Sequence, residues 1–259
     1  MGSVQSVKWV SLGVSNALTR TVVHFFPSEG GVTAPYPATC ALRIFGQGLI
    51  EKKVVIEGAR LSHPDGVRVE DAFPALKSDQ IGLIGLEIEV ATPQARVDIS
   101  SSCCVVELAS KGHSAKFWPK RLLPIPTASQ LLLQPKKNEE EQPVRPSLPR
   151  VVAALRDSFS TSSIVVINGG SDAYRPGLCA VTASAEAQEM TLPTLSAGSA
   201  TETALEDGFF SDALMRECSW GLSRVKSLVL RDAVSMESKA VFLVYRDALT
   251  RRPVSVFAL

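Results

Sequence analysis

Two stretches of this chain carry the same local pattern, and that repetition limits what it can fold into more than any other feature. Val69-Glu70-Asp71-Ala72-Phe73 reappears as Leu205-Glu206-Asp207-Gly208-Phe209. Ile81-Gly82-Leu83 reappears as Trp220-Gly221-Leu222. Further on, Cys103-Cys104-Val105-Val106 matches Phe242-Leu243-Val244-Tyr245, and Lys116-Phe117-Trp118 matches Ser255-Val256-Phe257. The offset is 136 at the acidic block and 139 from the Gly-Leu pair onward, so one short insertion accounts for the change. A chain of 259 residues has room for two such units, each inside the usual domain size.

The segments between the repeated blocks read as strands. Leu86-Glu87-Ile88-Glu89-Val90 alternates apolar and polar, as a half-buried strand does. Cys103–Leu108 and Ala240–Tyr245 are short apolar runs suited to strands covered on both faces. Ile164–Ile167 runs into the turn Asn168-Gly169-Gly170, and Arg175-Pro176-Gly177 precedes Leu178–Val181. Short strands and frequent turns predict an all-β fold of two tandem antiparallel sandwiches. The expected bounds are residues 1–122 for the first domain, 123–150 for a linker and 151–259 for the second.

The linker is read from its prolines. Pro124, Pro126, Pro135, Pro143, Pro146 and Pro149 surround the charge run Lys136–Glu141, which cannot be buried. Leu131, Leu132 and Leu133 would be a liability if exposed, so they are expected to dock on a domain or partner. Ser147 as N-cap, Pro149 in the first turn, and Val151, Leu155 and Phe159 at helical spacing predict a short helix after the linker. The two halves differ at their starts. The first carries Thr21–Phe26 and then a glycine- and proline-rich loop, Pro27–Pro37; the second carries Gly177–Met190. Long loops often bear function, and a specific activity is expected in these differences.

Composition excludes more than it assigns. A net charge of +1 argues against nucleic acid as the main partner, leaving only local basic patches such as Lys116/Lys120-Arg121 and Arg251-Arg252. Five cysteines without CxxC spacing read as buried free thiols in a reducing compartment. With no signal-like apolar run and no stretch long enough to span a bilayer, a cytoplasmic chain is expected. Met1-Gly2-Ser3-Val4-Gln5-Ser6 fits the acylation pattern M-G-x-x-x-[ST], making Gly2 a candidate lipidation site.

Catalytic signatures are missing. No P-loop, dinucleotide fingerprint, HExxH or GxSxG occurs, and Gly169-Gly170-Ser171-Asp172-Ala173 lacks the second glycine of a nucleophile elbow. His24, His63 and His113 lie far apart, so neither metal nor cofactor is expected. His24 reads as a satisfied core or rim histidine and His63 as a turn residue. The Glu-Asp pairs read as structural corners, the carboxylate accepting backbone N–H groups while Phe73 or Phe209 anchors the core. Trp9, Trp118 and Trp220 are expected in the core.

Ile164–Gly170, Leu195-Ser196-Ala197-Gly198-Ser199 and Leu205-Glu206-Asp207 together resemble small bacterial β-sandwich proteins of the sensory rhodopsin transducer type. That resemblance implies a sandwich that oligomerises and docks on other molecules, and it brings no catalytic residues. The leading expectation is therefore a non-catalytic binding or assembly protein, with a protein partner or self-association into a homo-oligomer. The alternatives are a ligand-binding protein or enzyme with a pocket between the domains, using His24, Tyr36 and Arg43, and an N-myristoylated membrane-surface or viral structural protein.

Overall fold

A computed structural model describes residues 5–26, 39–46, 52–57, 63–77, 82–92, 103–122, 160–182, 187–204, 225–230 and 238–259. Gly2, Tyr36, the 27–37 loop, the 123–150 linker with Leu131, Leu132 and Leu133, the expected helix over 151–159, the Leu205–Phe209 block and Trp220 lie outside the described residues.

The chain is all-β. The first half contributes β1 (Gln5–Val14), β2 (Thr19–Phe25), β3 (Thr39–Phe45), β4 (Lys52–Glu57), β5 (Val67–Arg68), β6 (Leu83–Thr92), β7 (Cys104–Ser110), β8 (His113–Phe117) and β9 (Lys120–Leu122). The second contributes β10 (Ser160–Asn168), β11 (Gly177–Thr182), β12 (Ala187–Thr191), β13 (Ser199–Ala204), β14 (Val225–Leu230), β15 (Lys239–Asp247) and β16 (Pro253–Ala258). Every pairing between them is antiparallel.

The strands form four sheets, ordered β4-β3-β6-β1-β9, β5-β2-β7-β8, β12-β11-β14 and β13-β10-β15-β16. Adding eight to each strand number turns β5-β2-β7-β8 into β13-β10-β15-β16 and β4-β3-β6 into β12-β11-β14. In each half, β2–β7 and β3–β6, or their counterparts, are nested in sequence yet lie in different sheets. Among the described residues the first half has two further strands, β1 and β9, that extend its larger sheet.

This order corrects the expected asymmetry. The β11–β12 hairpin holds the place of β3–β4, and β10 holds the place of β2. A fixed offset hides this because the β2–β3 connection has 13 residues and the β10–β11 connection 8. Among the described residues the two halves differ in that connection's length and in β1 and β9.

Alternation places side chains on defined faces. In the first half Trp9, Leu42 and Ile88 stand side by side on one face of the larger sheet. They meet Val23, Phe25, Cys104, Val106 and Leu108 of the β5-β2-β7-β8 sheet in one apolar core. The Trp9 and Phe25 rings touch edge to face at 6.3 Å across it. Cys40, Cys103 and Cys104 are free thiols buried there, as expected. Burial, with the Glu89 charge adding to it, pushes the Cys40 thiol up to about 12, so it is inert as a thiolate.

The second half builds its central sheet differently. Ala240–Tyr245 of β15 is buried continuously, as the unbroken apolar run predicts. Ile164, Val166, Leu243 and Tyr245 face one core with Leu178, Leu192 and Leu195. Val165, Ile167, Phe242, Val244 and Val256 face the other way and join the core of the first half. β7 departs from expectation, because its burial alternates and only one face is covered.

The Glu70 corner forms, but as a single helical turn, α1 (Val69–Ala72), instead of a strand. Glu70 is buried and its Oε1 accepts the Thr21 N–H in a long 3.4 Å bond, while Asp71 is exposed. Phe73, fully buried just beyond, supplies the anchor.

Candidate binding surface

His24 and Arg43, expected to share a pocket, point away from each other. Phe25 faces the core, so its neighbour His24 projects from the outward face of β5-β2-β7-β8. Leu42 faces the same core from the other sheet, so Arg43 projects from that sheet's opposite side. The sandwich lies between them, and stacked sheets stand about 10 Å apart.

Arg43 lies where the halves meet, and there it acts as a strut. Its guanidinium donates to Glu87 Oε2 at 2.7 Å and to the Gly169 carbonyl at 2.9 Å. Ser238 Oγ also donates to Glu87. The Arg43 cation lies 5.4 Å from the centre of the Phe45 ring. Phe45 fits because Gly85 and Gly169 press on it from each half: a Cβ at Gly169 would come within 2.6 Å of the ring, and one at Gly85 closer still. The turn Asn168-Gly169-Gly170 is thus a joint between the halves. Asn168 holds it by donating to the Asp172, Leu195 and Ser196 carbonyls. Ser171 is exposed in this loop, and no strand-to-helix elbow forms there.

The His24 face has a different character. The residues that alternation turns outward are Arg20, Val22 and His24 on β2, Arg68 on β5, Val105, Glu107 and Ala109 on β7, and Ser114 and Lys116 on β8. His24 is buried, and its Nε2–H donates to Glu107 Oε2 at 2.7 Å. Lys116 Nζ lies 3.6 Å from the same oxygen. Burial alone would raise the Glu107 carboxyl; hydrogen bonds from His24 and Ser114 and the neighbouring positive charges outweigh it and hold it below its ordinary value. Val22 and His24 lie under Gly66, where φ is +67° and a Cβ would strike both side chains.

Two rings flank this cluster. Phe26 lies parallel to His24, centroids 6.1 Å apart, and is 57% exposed. Trp118, next in the alternation after Lys116, is 65% exposed. Trp9 is in the core as expected; Trp118 is not, because the inward positions at that end of the sheet go to Phe117 and Pro119. The Glu107 contact could not be read locally, since 83 residues separate it from His24 and only the β2–β7 pairing joins them. The signal that was available is the alternation His24-Phe25-Phe26 against Lys116-Phe117-Trp118, each an inward aromatic beside an outward one.

Among the described residues no three His, Cys, Asp or Glu side chains gather as a metal site, and no helix is long and apolar enough to cross a membrane. His63 is a turn residue, its carbonyl accepting the Gly66 N–H. No family model, no curated protein and no solved structure matches the chain.

Proposed function

We propose that this chain is a non-catalytic binding protein built on a duplicated sandwich, and that the outward face of β5-β2-β7-β8 is its docking face. One observation carries this reading. The corresponding face of the second half is consumed in packing on the first, through Val165, Ile167, Phe242, Val244 and Val256. The first half's own outward face keeps Phe26 and Trp118 more than half exposed beside an ionic cluster. Shared strand order and repeated sequence blocks support the duplication. Large exposed rings grouped at one site mark binding surfaces, because their burial is deferred until a partner arrives.

The test is the double substitution Phe26→Ser with Trp118→Ser. Rings reserved for a partner leave thermal stability within about 0.5 kcal/mol of wild type. A loss of about 2 kcal/mol or more would mean that the rings pack within the chain, and would overturn the reading.

A further inference from the structure

The charges on this face are unevenly distributed. Its outward strand positions hold three full positive charges, Arg20, Arg68 and Lys116, against the single negative charge of Glu107. All three cationic residues are exposed, and Lys111, at the tip of the β7–β8 hairpin, is exposed as well. Glu107 is engaged by His24 and Lys116 and offsets part of the Lys116 charge, so the excess rests mainly on Arg20 and Arg68. Asp65, at the border, pairs with His63 at 3.7 Å. The chain's near-neutral total is an average that conceals this local excess.

Cations and rings occupy neighbouring parts of one face of the antiparallel sheet. Val22 pairs with both Arg68 and Glu107, and Glu107 pairs with Lys116, so one row runs from β5 to β8. With strands about 4.8 Å apart, that row spans roughly 14 Å, room for a few nucleotides. Trp118 follows β8 level with Val105, and Phe26 follows β2 just past His24, so both rings lie to one side of this row. An acidic peptide would need the cations and not the rings. A duplex would hide its base faces. Unstacked bases need both features together.

We propose that this face binds single-stranded nucleic acid, with Phe26 and Trp118 stacking on bases and Arg20, Arg68 and Lys116 contacting phosphates. The proposal rests on the docking reading above and names its partner. The probe is a fluorescently labelled oligouridylate of about 12 nucleotides, titrated with the full chain and followed by anisotropy, with poly-glutamate as competitor. Three phosphate contacts give a log–log salt slope of about −2 for a single strand. Trp118→Ala weakens binding about tenfold or more, while Trp118→Phe retains most of it. Arg20→Gln with Lys116→Gln makes the slope shallower by about 1.4.

Absence of binding at low salt overturns the proposal. So does binding that poly-glutamate displaces equally well and that Trp118→Ala leaves unchanged, which would indicate an acidic protein partner. Self-association in sedimentation that Trp118→Ala abolishes, without oligonucleotide binding, would assign the face to a second copy of the chain and equally overturn it. If the oligonucleotide fails while the Phe26/Trp118 serine variant keeps wild-type stability, only the partner class falls; if that variant unfolds early, the docking face falls with it.

Discussion

The β2–β7 and β10–β15 pairs occupy the same place in the strand order, yet their outward faces have opposite fates. On β10 and β15 the outward residues are Val165, Ile167, Phe242 and Val244, all fully buried against the first half. On β2 and β7 they are Arg20, Val22, His24, Val105, Glu107 and Ala109. Even the polar networks at corresponding sites differ. His24 and Glu107 form one, with Lys116 beside them. In the other, Arg246 grips both oxygens of Glu202 and Ser163 donates to the same carboxylate. One scaffold position thus packs between the halves in one copy and carries charged side chains in the other. The difference arises from surroundings and side chains, with the strand order unchanged.

The sharpest way to break this comparison uses one substitution at two matched positions. Val244 and Val105 correspond at the offset of 139. Val244→Asp buries an unpaired charge and should cost more than about 4 kcal/mol, enough to abolish cooperative unfolding. Val105→Asp, on a half-buried outward position, should cost under about 1 kcal/mol. Urea denaturation followed by circular dichroism reads both. Equal losses would show that the first half's face is also covered.

Next in size is the strut between the halves. Arg43→Ala leaves Glu87 part-buried with Ser238 and without its cation, and removes a donor from the Gly169 carbonyl. A loss of about 2 kcal/mol is expected. Glu87→Gln, which keeps the shape, should lose less. A double-mutant cycle with a coupling energy near zero would show that the halves are held by apolar packing alone.

Smaller effects come from the two carboxylates and separate with pH. Glu107 and Glu202 are both held below their ordinary value in the folded chain; at Glu202 burial opposes this and the Arg246 and Ser163 contacts outweigh it. A depressed folded pKa means the unfolded chain takes up protons first. Each contribution is therefore present above the ordinary carboxylate value of about 4.5 and is lost as pH falls through the lower, folded value. The stability gap between wild type and Glu107→Gln should be under about 1 kcal/mol near neutrality and close in acid. Glu202→Gln should show a larger gap that closes over the same acid range, because the Arg246 pair is bidentate. A gap that widens on acidification would mean that these carboxyls are raised, not lowered, in the folded chain. The smallest effect expected is the near-neutral Phe26 and Trp118 serine pair, whose consequence lies in binding and not in stability.

Much of the fold was legible from local patterns. Leu86–Val90, Ile164–Ile167 and Ala240–Tyr245 each declared a strand through alternation or an unbroken apolar run. β1 was harder, since Trp9, Val10, Ser11 and Leu12 are buried on both faces and carry no clean period. The candidate site was half legible. His24 was singled out as a satisfied histidine, but Arg43 was paired with it wrongly, because adjacent strands in the chain enter different sheets. Trp118 was assigned to the core, because a tryptophan's neighbours in sequence do not say which side of its sheet another layer will cover.

The sequence alone determined an all-β chain with a recurring block, because strand periodicity and turn chemistry act over a few residues. It also marked Gly66 and Gly169 as turn residues, whereas the close approach of Phe45 to Gly85 and Gly169 follows only from the packing. Tertiary structure decided which outward face is wholly buried in apolar packing and which keeps exposed cations among the described residues. It also decided that Glu107 meets His24 across 83 residues and that Arg43 joins the halves instead of lining a pocket with His24. Those outcomes depend on which sheet packs on which, a choice made by the summed burial of whole faces and written in no single segment.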